Sequence, residues 1–150
     1  MKSKFNTPQR KQDKPQIDGY TFDSELEARY YVERIKPLLD NGVPFTVIWE
    51  AKIHPRYEIL PKTGRSKAVY YIADFEIKDE NGRIIVVDVK GMATEAALLK
   101  RKMFEHRYPD KDLRWVCYSK MDGGWIEYDE LQKARAKRRK EKKLREGAGA

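Results

Sequence analysis

Three residues near the middle of the chain carry groups able to do acid, base or metal chemistry: Asp74, Asp88 and Lys90, in "YYIADFEIKDENGRIIVVDVKG" (70–91). They stand inside two apolar, strand-forming runs, where an unpaired charge is costly to bury. Whether they meet depends on strand register. "ENG" ahead of Arg83 suits a three-residue hairpin loop, a type I turn closed by Gly82 in the left-handed conformation. That register sets Asp74 opposite Asp88 and Ile72 opposite Lys90. Because side chains alternate, one face then reads Ile72, Asp74, Glu76 against Val86, Asp88, Lys90. The other reads Tyr71, Ala73, Phe75, Ile77 against Ile85, Val87, Val89, all apolar. A two-residue Asn-Gly turn would slip the pairing by one residue and drive a carboxylate into the core, a shift the fold strongly penalises.

Two opposed carboxylates with no cation between them repel, and one pKa rises. A divalent ion removes the repulsion. Mg2+, with Mn2+ able to substitute, takes oxygen ligands and keeps several waters, so one or two carboxylates suffice. Such an ion lowers the pKa of water and stabilises charge on a phosphoryl oxygen. Lys90, on the same face, could orient the attacking water or neutralise the developing charge. The alternative is an Asp–Lys ion pair on a solvated sheet face.

The elements around this hairpin must position it. "FDSELEARYYVERIKPLLDNG" reads as a helix capped by Ser24, with Ala28, Tyr31, Ile35 and Leu38 on one face and Asn41-Gly42 as its stop. Pro37 predicts a kink or an end near Lys36. "FTVIWEA" and "HPRYEILP" read as strands. A second helix, "TEAALLKRKMFEHRYP", is capped by Thr94 and turns Leu98, Leu99, Met103 and Phe104 inward. "LRWVCYS" is a buried strand, "GWIEYD" a short last one, and residues 129–150 a basic helix with almost no apolar stripe. The fold class is therefore α/β, a mixed central sheet flanked by helices with a basic C-terminal helix.

At 150 residues the chain holds one compact domain. It divides into a basic arm (1–16), a body (17–128) and a C-terminal helix and tail (129–150). One cysteine and two histidines exclude a disulfide framework and a Cys/His zinc cluster, and no histidine-based metal site is expected. No membrane span or signal segment is legible, so the expected location is cytoplasmic. The formal charge is +8, unevenly placed. Residues 1–15 carry a net +4 and residues 129–146 a net +5, which leaves the body nearly neutral. Concentrated positive ends suit a polyanion such as nucleic acid, or serve as solubilising tails. Lys100 and Arg101 on the second helix, with Arg135, Lys137, Arg138 and Arg139 on the last, are the candidate DNA contacts.

Asp74, thirteen residues, then Asp88-Val89-Lys90 is similar to the PD-(D/E)xK nuclease signature, with Ala73 at the position of its proline. With "FDSELEA", "HPRYEILP", "YIADF" and "VDVKG" before a Lys-rich helix, the run Gly19–Pro109 resembles small phage endonucleases of that superfamily, which includes archaeal-type and phage Holliday junction resolvases. His54 stands where a glutamine is expected. The resemblance implies an αβββαβ core like that of restriction endonucleases. It also implies a homodimer acting in the host cytoplasm on four-way DNA junctions, without a small-molecule cofactor.

By position, the resemblance makes Glu27 the third ligand of the metal beside Asp74 and Asp88. Locally, Ser24-x-x-Glu27 is a capping box, which gives Glu27 a second role. Glu76 is expected in solvent, and His54 and Glu58 share one face of their strand. Two other readings stay open: a non-catalytic nucleic-acid-binding protein, and a same-fold nuclease for other DNA, such as a transposase subunit, flap nuclease or repair nickase.

Overall fold

The structure, a computed structural model, describes residues 13–40, 50–79 and 81–148. The predicted helix stop at Asn41-Gly42, most of the strand "FTVIWEA" and most of the N-terminal arm lie outside them. A small ribbon, β1 (Gln16–Ile17) and β2 (Tyr20–Thr21), leads into α1 (Glu25–Tyr30). Ser24 caps α1 as its sequence predicts, its Oγ accepting from Glu27 N at 3.1 Å. The chain then widens into a π-helical segment, Tyr31–Ile35, in which Lys36 N reaches Tyr31 O, before α2 (Lys36–Asp40). Pro37 lacks an N–H and crowds the preceding turn. The π segment absorbs that misfit, so the helix continues past Lys36.

The central sheet is built from β3 (Glu50–Ile53), β6 (Phe75–Lys78), β7 (Ile84–Val89), β8 (Asp112–Ser119) and β9 (Gly124–Glu127), side by side in that order. β7 and β8 run parallel, joined by α3 (Glu95–Arg107), and the other pairs are antiparallel. This is the predicted class: a mixed sheet with helices on it and a C-terminal helix, α4 (Tyr128–Ala148). Among the described residues no helix is long and apolar enough to cross a membrane.

The β6–β7 register is the one the turn chemistry predicts, with Phe75 opposite Val87 and Ile77 opposite Ile85. Gly82 N bonds to Asp79 O at 3.0 Å and Gly82 takes φ +78°, open to glycine at no steric penalty. Asp79 Oδ1 accepts from Asn81 N and Arg83 N, at 2.9 and 2.8 Å, and locks the turn.

The predicted strand Tyr70–Ile77 breaks in two. Its first part, β5 (Val69–Ile72), leaves the central sheet and pairs with β4 (Arg56–Leu60), which sets Ile72 opposite Arg56 instead of Lys90. The chain changes faces at the break. Phe75, Ile77 and Val87 pack against α1 and the π segment through Ala28, Tyr31 and Ile35. Tyr71 and Ala73 pack with Val86, Tyr57 and Phe104 in a second cluster. Both faces of the sheet are therefore covered, and each fully buried Phe or Val contributes about 1.5–3 kcal/mol.

On α3 only Phe104 is buried, while Leu99 is 61% exposed, contrary to the expected inward face. The helix is held at its C-terminal half, where the Phe104 ring meets Tyr57 and Tyr71 at 5.0 and 5.1 Å. Its first turns border an open cleft instead. α4 buries Leu131 alone, in keeping with its missing apolar stripe.

Candidate active site

Asp74 sits at the β5–β6 break, and that break brings its side chain to the end of β7. Its N donates to Val87 O at 3.1 Å, and its Oδ2 accepts from Val89 N at 2.7 Å. Burial, then the charges of Asp88 and Glu27, push its carboxyl well above the usual carboxylate range, and only the Val89 N–H opposes them.

Asp88 is buried in β7. Its Oδ2 accepts from Tyr71 OH at 2.5 Å and lies 3.1 Å from Lys90 Nζ. Lys90 Nζ also stands 4.8 Å from the centroid of the Trp115 ring, whose Nε1 donates to Tyr71 OH at 2.8 Å. Asp88 and Lys90 open onto a cleft of about 330 Å³ walled by Tyr70, Ile72, Thr94 and Lys100. Lys100 is thus the predicted DNA contact that shares the cleft. Arg101 turns away, to Asp129 at 3.3 Å and the Trp115 ring at 4.6 Å.

Glu27 is 2% exposed and uses both oxygens. Oε2 accepts from Asp23 N at 2.9 Å, one residue before the amide a capping box would use. Oε1 lies 2.5 Å from His54 Nε2, with one proton between them. Burial raises the Glu27 carboxyl, while His54 and the Asp23 N–H pull it back. His54 holds φ +53°, an uncommon backbone for a residue with a side chain, and its N donates to Asp74 O at 2.9 Å.

The ligand atoms of Asp23, Glu27 and His54 all lie within 4.8 Å of one another, a group able to hold a metal ion. The group includes a histidine, although no histidine-based metal site is expected from the sequence. His54 lies 27 positions from Glu27 in sequence, in the link between β3 and β4, and only tertiary packing joins them. Sequence reasoning also misses Asp23, Tyr71 and Trp115. Asp23 reads as an ordinary pre-cap acid, and the aromatics read as core.

Glu76 is buried, not solvated: it accepts a hydrogen bond from Tyr57 OH and lies 3.7 Å from Lys52 Nζ. Glu58 is exposed on β4. On α4, Arg135, Lys137 and Arg139 are exposed, whereas Arg138 is held by Asp122 Oδ1 at 2.6 Å. A cation so engaged is less free to meet a phosphate than its neighbours.

Asp23, Glu27 and His54 offer two hard carboxylates and one imidazole, and Glu27 also contributes to the negative charge around Asp74. No curated protein and no solved structure matches the chain. Residues 3–123 match the model of the family described as "Protein of unknown function (DUF1064)", and the chain belongs to that family.

Proposed function

We propose that this protein is a metal-dependent DNA endonuclease that cuts branched DNA, foremost four-way junctions of the Holliday type, by phosphodiester hydrolysis. The observation that carries this reading is the raised carboxyl of Asp74, pressed by Asp88 and Glu27, with Lys90 3.1 Å from Asp88 Oδ2. Anionic crowding costs stability whatever its use, and carboxyls perturbed in this way cluster at functional sites. The PD-(D/E)xK resemblance points the same way.

Asp74, Asp88 and Glu27 would hold Mg2+, which supplies Lewis acidity toward water and a phosphoryl oxygen. The chain's own groups do the rest. Lys90, anchored by Asp88, stabilises charge developing on the phosphoryl oxygens. Water oxygen bonds to phosphorus, the bond to the 3′ oxygen breaks, and that oxygen takes a proton, leaving a 5′-phosphate and a 3′-hydroxyl. Lys100 in the cleft wall and the exposed cations of α4 contact phosphates without reading sequence. A junction needs two symmetric cuts, which fits a two-fold homodimer.

The test is incubation with labelled four-way junction, nicked duplex, linear duplex and single strands, in Mg2+ and in EDTA. Junction cleavage in Mg2+ alone supports the reading. Cleavage of another substrate in preference moves it to a same-fold nuclease of different specificity. Binding without cleavage in either condition overturns it in favour of a nucleic-acid-binding protein.

A further inference from the structure

Tyr71 and Trp115 form a hydrogen-bond chain whose direction is fixed by chemistry. An indole N–H only donates, so Trp115 Nε1 gives its hydrogen to Tyr71 OH at 2.8 Å. The phenol has one hydrogen, and it is directed at Asp88 Oδ2, 2.5 Å away. Both aromatic residues are buried, at 4% and 3% exposure, so water cannot take over either bond.

Asp88 Oδ2 therefore receives two protein donors, Tyr71 OH and Lys90 Nζ. That leaves Oδ1 as the Asp88 oxygen that neither Tyr71 nor Lys90 holds. Trp115 is paired with Asp88 across β7 and β8, and its ring also faces the Lys90 ammonium. One indole thus braces both the carboxylate and the amine.

We propose that Tyr71, held by Trp115, is a positioning residue that occupies Oδ2 of Asp88 and directs Oδ1 to a divalent cation. This rests on the reading of Asp88 as a metal ligand. Asp74 is held in a similar way, through Oδ2 on Val89 N, whereas Glu27 has both oxygens engaged, Oε2 by Asp23 N and Oε1 by His54. Groups that orient a ligand in this way are typically worth about 10–100-fold in metal affinity.

The test titrates the full chain and its Tyr71→Phe and Trp115→Phe variants with Mn2+, following free ion by electron paramagnetic resonance. Junction cleavage is then measured against Mn2+ concentration. Tyr71→Phe is expected to weaken Mn2+ binding by about tenfold. The Mn2+ concentration for half-maximal cleavage should rise in step, with kcat largely recovered at saturating metal. A purely structural loss would lower melting temperature in EDTA without that split.

Trp115→Phe removes the donor at the far end of the chain and should move affinity the same way by a smaller factor, which keeps the test alive if Tyr71→Phe folds poorly. Wild-type Mn2+ affinity and metal dependence in both variants overturn the positioning role alone. A wild-type chain that binds no Mn2+ overturns this inference and the nuclease reading together.

Discussion

Glu27 and His54 meet at 2.5 Å, through the Glu27 oxygen that the helix cap leaves free. The other oxygen accepts from Asp23 N, so one carboxylate closes the start of α1 and faces the site at once. The hydrogen bond at the helix start and the contact to His54 thus fall to two atoms of the same side chain.

That division makes Ser24→Ala and Glu27→Gln separable. Ser24→Ala removes the acceptor for Glu27 N and should cost about 0.5–2 kcal/mol of stability. Its cleavage should be intact at a temperature where it stays folded. Glu27→Gln keeps an oxygen for Asp23 N but loses the charge. It should melt in EDTA within a few degrees of wild type and need more Mg2+ for cleavage. Thermal melts and Mg2+ titrations of both proteins read this. Full activity of Glu27→Gln at limiting Mg2+ contradicts the ligand role.

The metal-free protein should lose stability as pH rises. Asp74 and Glu27 both have folded-state pKa values raised above their unfolded values of 3.8 and 4.5. Between each unfolded value and its raised folded value the native state binds more protons than the unfolded one, so the slope of stability with pH is negative there. The favourable contribution is complete below the unfolded value and gone above the folded one. Melts in EDTA across that range should show the decline. Asp74→Asn should flatten it and raise the melting temperature near neutrality, by about 2–4 °C per kcal/mol relieved. A pH-independent difference between the two proteins would contradict the repulsion.

How much of this is legible in sequence varies by element. The β6–β7 register follows from Asp79, Gly82 and strict alternation, all local signals. The break between Ala73 and Phe75 has no such signal. Tyr71, Ala73, Phe75 and Ile77 are apolar on every second position, and the pattern looks the same whether the strand continues or changes sheets. Nor can spacing show that His54 reaches Glu27, since that pairing depends on an uncommon backbone conformation at His54 and on tertiary packing. On α3, the apolar Leu98 and Leu99 look like core residues in sequence but stay exposed on turns that border an open cleft.

The exposed cations of α4 should govern the salt dependence of DNA binding. Arg138 is spent on Asp122, and Leu131 anchors the helix, so both are left in place. Replacing Arg139, Lys140 and Lys143 together by glutamine should weaken junction binding. Each phosphate that is no longer neutralised should lower the slope of log affinity against log salt by about 0.9. Cleavage at saturating DNA should survive. An unchanged slope in filter-binding titrations would mark α4 as a solubilising surface only.

The central claim is tested most directly by single-turnover cleavage of a labelled four-way junction in Mg2+, comparing wild type with Asp74→Asn, Asp88→Asn and Lys90→Ala under conditions where gel shifts show all four bound. Charge stabilisation of several kcal/mol, at about 1.36 kcal/mol per decade, predicts at least a roughly hundredfold loss of rate in each variant. Near-wild-type turnover in any of the three would contradict the site assigned to Asp74, Asp88 and Lys90.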